Sequence, residues 1–357
     1  MLSIYEVIAF LAILLALIKD SNKNSSFLAI FLILVLTIVA AIRGLSVGTD
    51  TEGYYYAFQW AVTPLSTRTS ESEPLFSVYA YLCRRYLNYD WYMLLSYGIM
   101  CFLYLWVAFK KTTNFPLAVF LFVTCGFYLS SFNGMREYLA SAITFGALYI
   151  LESDFKNEKN KIIVFFIITL LAVLIHNTAL VVVAVFLIRK IEISNKIQFI
   201  IVIGSFIVGF FLSAYFWGLL QPFTTDVGRF GGYMEYESGG GGRNIVSNLG
   251  VNIMFLAIMY LADKDDQKSI FYKTYFVSMI IFNLVGGMHY LTRLTDNLAV
   301  AQIITIPIVL RHTKKQIFRY GLIILMLVYS ISRFYLKGLS NPDILPYVIR
   351  PDISFIL

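Results

Sequence analysis

A chain of 357 residues that is 59% hydrophobic and only 14% charged, with a mean hydropathy of +0.74, is not a soluble globular protein, since those carry about a quarter charged residues. Its net charge of +7 is no nucleic-acid signature, because the basic residues stand in twos and threes at the ends of apolar runs rather than in one patch. Cys83, Cys101 and Cys125 have no metal-type spacing, and an odd, scattered count argues against a disulfide framework, so they read as buried thiols.

Apolar runs of about 15 to 20 residues, the length of helical membrane spans, repeat along the whole chain. Twelve are placed, at 2–18, 27–42, 91–109, 115–131, 136–152, 161–175, 178–189, 197–217, 248–262, 270–288, 295–310 and 317–334. The expected fold is therefore all-α, a polytopic protein of about twelve transmembrane helices. It forms one membrane domain over 1–357, because no polar stretch reaches the length of a soluble domain. The first run contains Glu6 and no basic residue before Lys19, so it reads as a retained span rather than a cleaved signal.

The loops between spans fall into two alternating sets. One holds 14 of the 15 lysines and the other 10 of the 13 arginines. Positive charge beside a span resists translocation, so the lysine set is expected in the cytoplasm, with both termini and the arginine set outside. Removing any one span from the series would flip everything after it and spoil the segregation. Arginine presents a rigid fork of donors that fits phosphate bidentately, so the outward face is expected to handle a phosphorylated substrate.

In chain order, the first long outward segment is 43–90. It opens with Arg43-Gly44-Leu45-Ser46-Val47-Gly48-Thr49-Asp50-Thr51 and then Tyr54, Tyr55 and Tyr56. The glycines allow a sharp turn, Asp50 and Thr51 are candidate helix caps, and Arg43 is either a ligand-binding group or a side chain reaching the interface. Further on, Leu75, Tyr79, Leu82 and Tyr86 recur at helical spacing, which predicts an interfacial amphipathic helix starting at Pro74. Asn133-Gly134-Met135-Arg136-Glu137 joins two spans almost without a loop. Ionisable residues at such a boundary are functional candidates, and a helix N-terminus favours phosphate. His176-Asn177-Thr178 precedes an apolar run too short to cross a bilayer, which predicts a broken or re-entrant helix of the kind that lines a cavity. The segment 218–247 carries Gly231, Gly232 and Gly239 to Gly242, with Arg229 and Arg243 on either side, and reads as an outward flexible loop or lid. Last come His289, Arg293 and Asp296, spaced to share one side of a helix.

No cofactor or metal is expected. The histidines are His176, His289 and His312, no outward carboxylate pair is spaced for a divalent ion, and no glycine loop of the nucleotide-binding kind is present.

Three of these segments together carry a resemblance. Arg43…Val47-Gly48-Thr49-Asp50-Thr51…Tyr54, Asn133-x-x-Arg136-x-x-x-Ala140 and His176-Asn177-Thr178-Ala179-Leu180 resemble the signatures of EpsG-type proteins, which belong with the Wzy-like bacterial polysaccharide polymerases, O-antigen polymerases among them. Glu73-Pro74-Leu75-Phe76 resembles the stretch between the first two, and Glu137 stands where the family often has Gln. The similarity covers about residues 30 to 185.

The resemblance implies a glycosyltransferase of the GT-C type in the bacterial inner membrane, acting on its outer (periplasmic) face. Such a polymerase moves a growing glycan from undecaprenyl pyrophosphate onto the non-reducing end of an incoming lipid-linked repeat unit, in O-antigen or exopolysaccharide synthesis. Its partners would be the undecaprenyl-pyrophosphate-linked oligosaccharide, with a chain-length regulator and a flippase in the same membrane. Under this reading Asp50, Glu137 and His176 are the candidate catalytic residues, with Asp50 ranked first as base. Arg43, Arg136, Arg229, Arg243, His289 and Arg293 are the candidate pyrophosphate ligands. Two other classes remain. A lipid-linked oligosaccharide flippase should show internal repeats and charge deep within its helices, and neither is seen. An O-antigen ligase would use the same donor with another acceptor.

Overall fold

The computed structural model describes residues 4–17, 26–66, 73–112, 114–154, 157–224, 245–285, 289–336 and 342–355, without the side chains of 11, 12, 14–17, 26, 212–224, 245–247 and 289–293. Among these residues the fold is helical, and the one β-type pairing is an isolated bridge between Arg43 and Ile349. Each of the twelve apolar segments is largely helical where it is described, with 115–131 and 295–310 each interrupted by a two-residue turn, at 125–126 and 300–301. By length and composition, Tyr89–Lys111, Leu294–His312 and Gln316–Phe334 can cross a membrane, while others such as Phe27–Ala41 and Ile270–Val285 are apolar but shorter. Helices of this kind belong to a membrane protein.

The chain divides into two compact units. The first comprises Met1–Val182, Gln302–Ile308 and Ser330–Leu357, and the second Val183–Ala301 and Val309–Tyr329.

In the first unit the main helices are α1 (Ile4–Leu17), α2 (Ser26–Ala41), α3 (Thr51–Gln59), α4 (Pro74–Tyr86), α5 (Tyr89–Lys111), α6 (Phe115–Thr124), α7 (Phe127–Ser130), α8 (Met135–Glu152) and α9 (Glu158–Val173). Packing runs α2 on α5, α5 on α8 and α8 on α9, with α1 against α6. α5 is the central element. Asn88 caps it by accepting from the amides of Asp90 and Trp91, Asp90 sits in its first turn, and Lys110 and Lys111 sit in its last, an order that suits the helix dipole. Its buried face carries Tyr92, Tyr97 and Tyr104. A phenol buried among helices needs an acceptor. Tyr97 donates to the carbonyl of Ser131 (2.9 Å) and Tyr104 to that of Tyr138 (3.3 Å), while Tyr128 of α7 donates to that of Leu36 (2.8 Å). These bonds tie α2, α5, α7 and α8 together.

The expected span at 115–131 is interrupted where Gly126 adopts φ +90°, between α6 and α7. The amphipathic helix starts where its pattern placed it, with Pro74 in the first turn and Phe76, Ala80 and Cys83 on its buried side. The break before the short run is also present. α9 ends at Val173, a 3₁₀ helix spans Asn177–Val181, and α10 (Val182–Ile188) follows.

In the second unit α11 (Asn195–Thr224) and α14 (Ile270–Val285) pack closely. Gly209 lets them do so, because a Cβ there would collide with the carbonyl of Asn283. Asn283 Nδ2 donates to Val202 O and Ser205 Oγ (3.1 Å each) and to Asn252 Oδ1 (2.9 Å). α12 (Ile245–Leu261) contributes Asn252, and α13 is the short helix Lys264–Lys268. α15 (His289–Ala299), α16 (Gln302–His312) and α17 (Gln316–Phe334) complete the order. The glycine-rich loop was expected from 218, yet α11 continues to Thr224. The remainder, 225–244 with Arg229 and Arg243, lies outside the described residues.

Candidate functional site

The first signature folds around Arg43. Its guanidinium is completely buried. Nη1 donates to Ala40 O (2.6 Å) and Nε to Val47 O (3.1 Å), Nη2 reaches Thr51 Oγ1 (3.2 Å) and Phe132 O (3.4 Å), and the group lies over the rings of Tyr97 and Phe132, at 4.7 and 4.5 Å. These partners are all neutral. A cation so deeply buried is tolerated only when its donors are satisfied, so Arg43 fixes the shape of the loop 43–51 from within. Gly48 is required by the same fold. It has φ +97°, and a Cβ there would lie 2.6 Å from Phe132 O. Thr49 N donates to Asn133 Oδ1 (3.0 Å), which joins the first signature to the second.

The second signature opens α8. Arg136 occupies its first turn with the side chain a quarter exposed, and donates from Nη1 to Glu73 Oε2 at 2.5 Å. Glu73 is the residue before Pro74, at the N-terminus of α4, and is buried. The Arg136 guanidinium also sits 5.9 Å from the centre of the Tyr54 ring and 5.5 Å from that of the Phe76 ring. Burial pushes the Tyr54 phenol up, with Arg136 opposing and the nearby Asp50 reinforcing the shift, so Tyr54 stays protonated and acts as a hydrogen-bonding phenol. Asp50 stands at the cap position of α3 but makes no side-chain cap bond. It is half-buried on the side of Tyr54. Glu137 is buried, at the third position of α8, with Oε2 turned back to Gly134, 3.4 Å from where a Cβ would stand. That is where a carboxylate serves the start of a helix.

The third signature comes in through the broken helix. Leu75 N donates to Leu174 O (3.0 Å), which anchors the start of α4 beside the turn that ends α9. His176 Nδ1 is 2.8 Å from Thr178 Oγ1 and accepts from Thr178 N (3.4 Å). With Nδ1 accepting, the ring proton sits on Nε2, which faces Glu73 Oε1 at 3.7 Å. A chain of groups thus runs Asp50, Tyr54, Arg136, Glu73, His176, Thr178, all within the first unit.

The structure therefore brings together three of the expected site residues, Asp50, Arg136 and His176, with Glu137 beside them in the first turn of α8. It seals Arg43 inside, where all its recorded contacts are internal. His289 and Arg293 lie in α15 of the second unit, with side chains outside the described residues, and Arg229 and Arg243 lie wholly outside them. Glu73 is the residue that sequence reasoning missed as a site member. Its signal was a carboxylate immediately before a helix-opening proline, inside a stretch already noted for resemblance.

One grouping among the described residues has metal-ligand spacing. Asp263, Asp266 and His312 of the second unit bring ligand atoms within 4.8 Å of one another. Both carboxylates already close the capping box of α13, and His312 Nδ1 meets Asp266 Oδ1 at 2.6 Å.

No curated protein and no solved structure matches this chain. The EpsG family matches residues 26–349, nearly its whole length, and its function is of the polysaccharide-polymerase type. The chain belongs to the EpsG family.

Proposed function

We propose that this protein is a polysaccharide polymerase, a GT-C-type glycosyltransferase of a bacterial inner membrane with its active site on the outer face. It transfers a growing glycan from undecaprenyl pyrophosphate to a hydroxyl at the non-reducing end of a lipid-linked repeat unit. The observation that carries this reading is the convergence of three family signatures on one arginine. Arg136 is held by Glu73 and lies against the Tyr54 ring, yet keeps a quarter of its side chain exposed.

In the reaction the acceptor hydroxyl oxygen attacks the anomeric carbon of the donor glycan. The bond from that carbon to the pyrophosphate oxygen breaks, and the hydroxyl proton passes to a base. The departing pyrophosphate gains charge, which fixed cations stabilise. Arg136 takes that role, with the N-terminus of α8 adding positive potential. Arg43 instead holds the loop that presents Asp50. Asp50 is the preferred base, being half-buried and not used as a cap. Glu137 turns back to its own helix start, and the tautomer of His176 makes Nε2 a donor, so neither is as well placed to accept the proton. Arginines hold the charge with no metal required.

The test is Arg136→Lys in purified protein supplied with the lipid-linked repeat unit alone. Wild type gives a ladder of chain lengths, and the lysine variant, unable to reproduce the fork, loses it by about 100-fold or more. A lysine variant with normal abundance and a normal ladder refutes the role of Arg136. A wild type that makes no ladder refutes the polymerase reading in favour of a flippase or a ligase.

A further inference from the structure

Successive residues of a helix point about 100° apart, so neighbours on α3 face different environments. Tyr54 joins the charged cluster, while Tyr55 and Gln59, four residues apart, line a separate open cleft. The cleft has a volume of about 930 Å³ and lies between α3, the start of α5 and the C-terminal segment. Ligand clefts commonly measure roughly 300–1,000 Å³. One wall is aromatic. Tyr55 and Tyr89 meet edge to face at 5.0 Å, with Phe58 against Tyr89 at 5.6 Å. At the end of the same helix the exposed rings of Tyr56 and Trp60, the residue just past it, stack at 5.8 Å.

The opposite wall is the C-terminal segment, bound firmly to the rest of the unit. Gly44 N donates to Val348 O (2.7 Å), Gly48 N to Asp343 O (2.6 Å) and Tyr347 Oη to Val39 O (2.6 Å), and Arg350 pairs with Asp90. Beyond it the Asp352 carboxylate is 77% exposed. The polar groups at the cleft are therefore of mixed kind, with Gln59 and Ser46 uncharged, Arg84 and Arg350 cationic and Asp90 and Asp352 anionic, Arg350 being paired with both carboxylates.

We propose that this cleft binds an uncharged oligosaccharide stretch of the growing polymer, several sugars behind its reacting end. The proposal rests on the polymerase reading above. Aromatic faces suit the C–H faces of sugar rings, and scattered donors and acceptors suit their hydroxyls. An oligophosphate would instead meet two carboxylates, Asp90 and Asp352, and an Arg350 already paired with both. The cleft and the cluster stand on neighbouring residues of one helix, Tyr55 and Tyr54 of α3.

The experiment uses full-length protein in detergent and, as probe, the cell's own extracellular polysaccharide cut by mild acid to lipid-free fragments, with affinity read by calorimetry. Wild type should bind fragments of two or more repeat units. Ser46→Trp, which fills the cleft from an exposed position, and Asp352→Asn, which removes an exposed charge, exchanges one acceptor oxygen for a donor and loosens the 3.6 Å pair with Arg350, should each weaken binding at least roughly tenfold. Unchanged affinity in both variants, no binding by wild type, or displacement of the fragment by inorganic pyrophosphate would each overturn the proposal. Failure of the polymerase reading is separate. It would appear as a missing ladder in wild type while fragment binding, sensitive to Ser46→Trp, persists.

Discussion

Glu73→Gln isolates the ion pair on which the site is built. The substitution keeps the volume and one acceptor, so it opens no cavity and removes chiefly the charge. Breaking a fully buried pair by neutralising one member costs about 3–5 kcal/mol. Here Glu73 is 7% exposed but Arg136 is 25% exposed, so water takes over part of the guanidinium's need, and the loss belongs nearer a single charge-assisted bond, about 2 kcal/mol. That is about a 30-fold fall in the folded-to-unfolded ratio. The Glu73 carboxylate also faces His176 Nε2 at 3.7 Å, so both Arg136 and His176 lose their orientation, and a misplacement of about 1 Å is enough to lower turnover by about 100-fold. Stability is read by unfolding in detergent for wild type, Glu73→Gln, Arg136→Gln and the double variant, and activity by the chain-length ladder. The pair predicts a coupling energy of about 2 kcal/mol, within the range for residues in contact. Additive losses together with a full ladder from Glu73→Gln would refute the claim that this carboxylate positions the site.

Gly48→Ala should lower stability by about 1–3 kcal/mol, because the new Cβ meets both a left-handed backbone and the carbonyl of Phe132; a variant as stable as wild type in detergent unfolding would contradict the packing of the loop. Asp50→Asn should abolish chain synthesis while thermal stability and donor binding persist, whereas near-normal polymer moves the base to Glu137 or His176. Arg43→Lys should behave as a folding defect, with low abundance and an early melt, since an ammonium cannot serve the partners around a fully buried fork; normal abundance with loss of donor binding would return Arg43 to the ligand-binding set. For sidedness, a cysteine at exposed Glu52 should react with an impermeant thiol reagent in intact spheroplasts and one at exposed Lys159 should not, and the opposite pattern would invert the topology.

Much of the scaffold was legible because its physics is local. The apolar runs gave the helices, Pro74 the opening of the amphipathic helix, and the short run after His176 the break. What was not legible depends on contacts across long separations. Nothing near Glu73 in sequence says that it meets Arg136, 63 residues on. Nothing near Ile349 says that the C-terminal segment returns to bridge Arg43. The end of α11 was misjudged for a different reason. Its last turns contain Pro222, a residue that normally stops a helix, yet the helix runs on to Thr224.

The two arginines show why residue type alone could not sort the site. Both were expected by the same rule, that a guanidinium's planar fork of donors is suited to phosphate. They differ in what surrounds them. Arg43 meets three carbonyls, a hydroxyl and two rings, and none of it reaches solvent. Arg136 meets a carboxylate and a phenol and remains partly exposed. A guanidinium that must receive an incoming anion needs donors facing outward and a counter-charge that fixes its direction without enclosing it. The first signature therefore supplies rigidity, through Arg43, Gly48 and the bond from Thr49 to Asn133, and that rigidity sets where Asp50 and Tyr54 stand relative to Arg136. On this division of labour, losses in the first signature should appear as folding defects and losses around Arg136 as catalytic ones, with Asp50 the exception that a base would make.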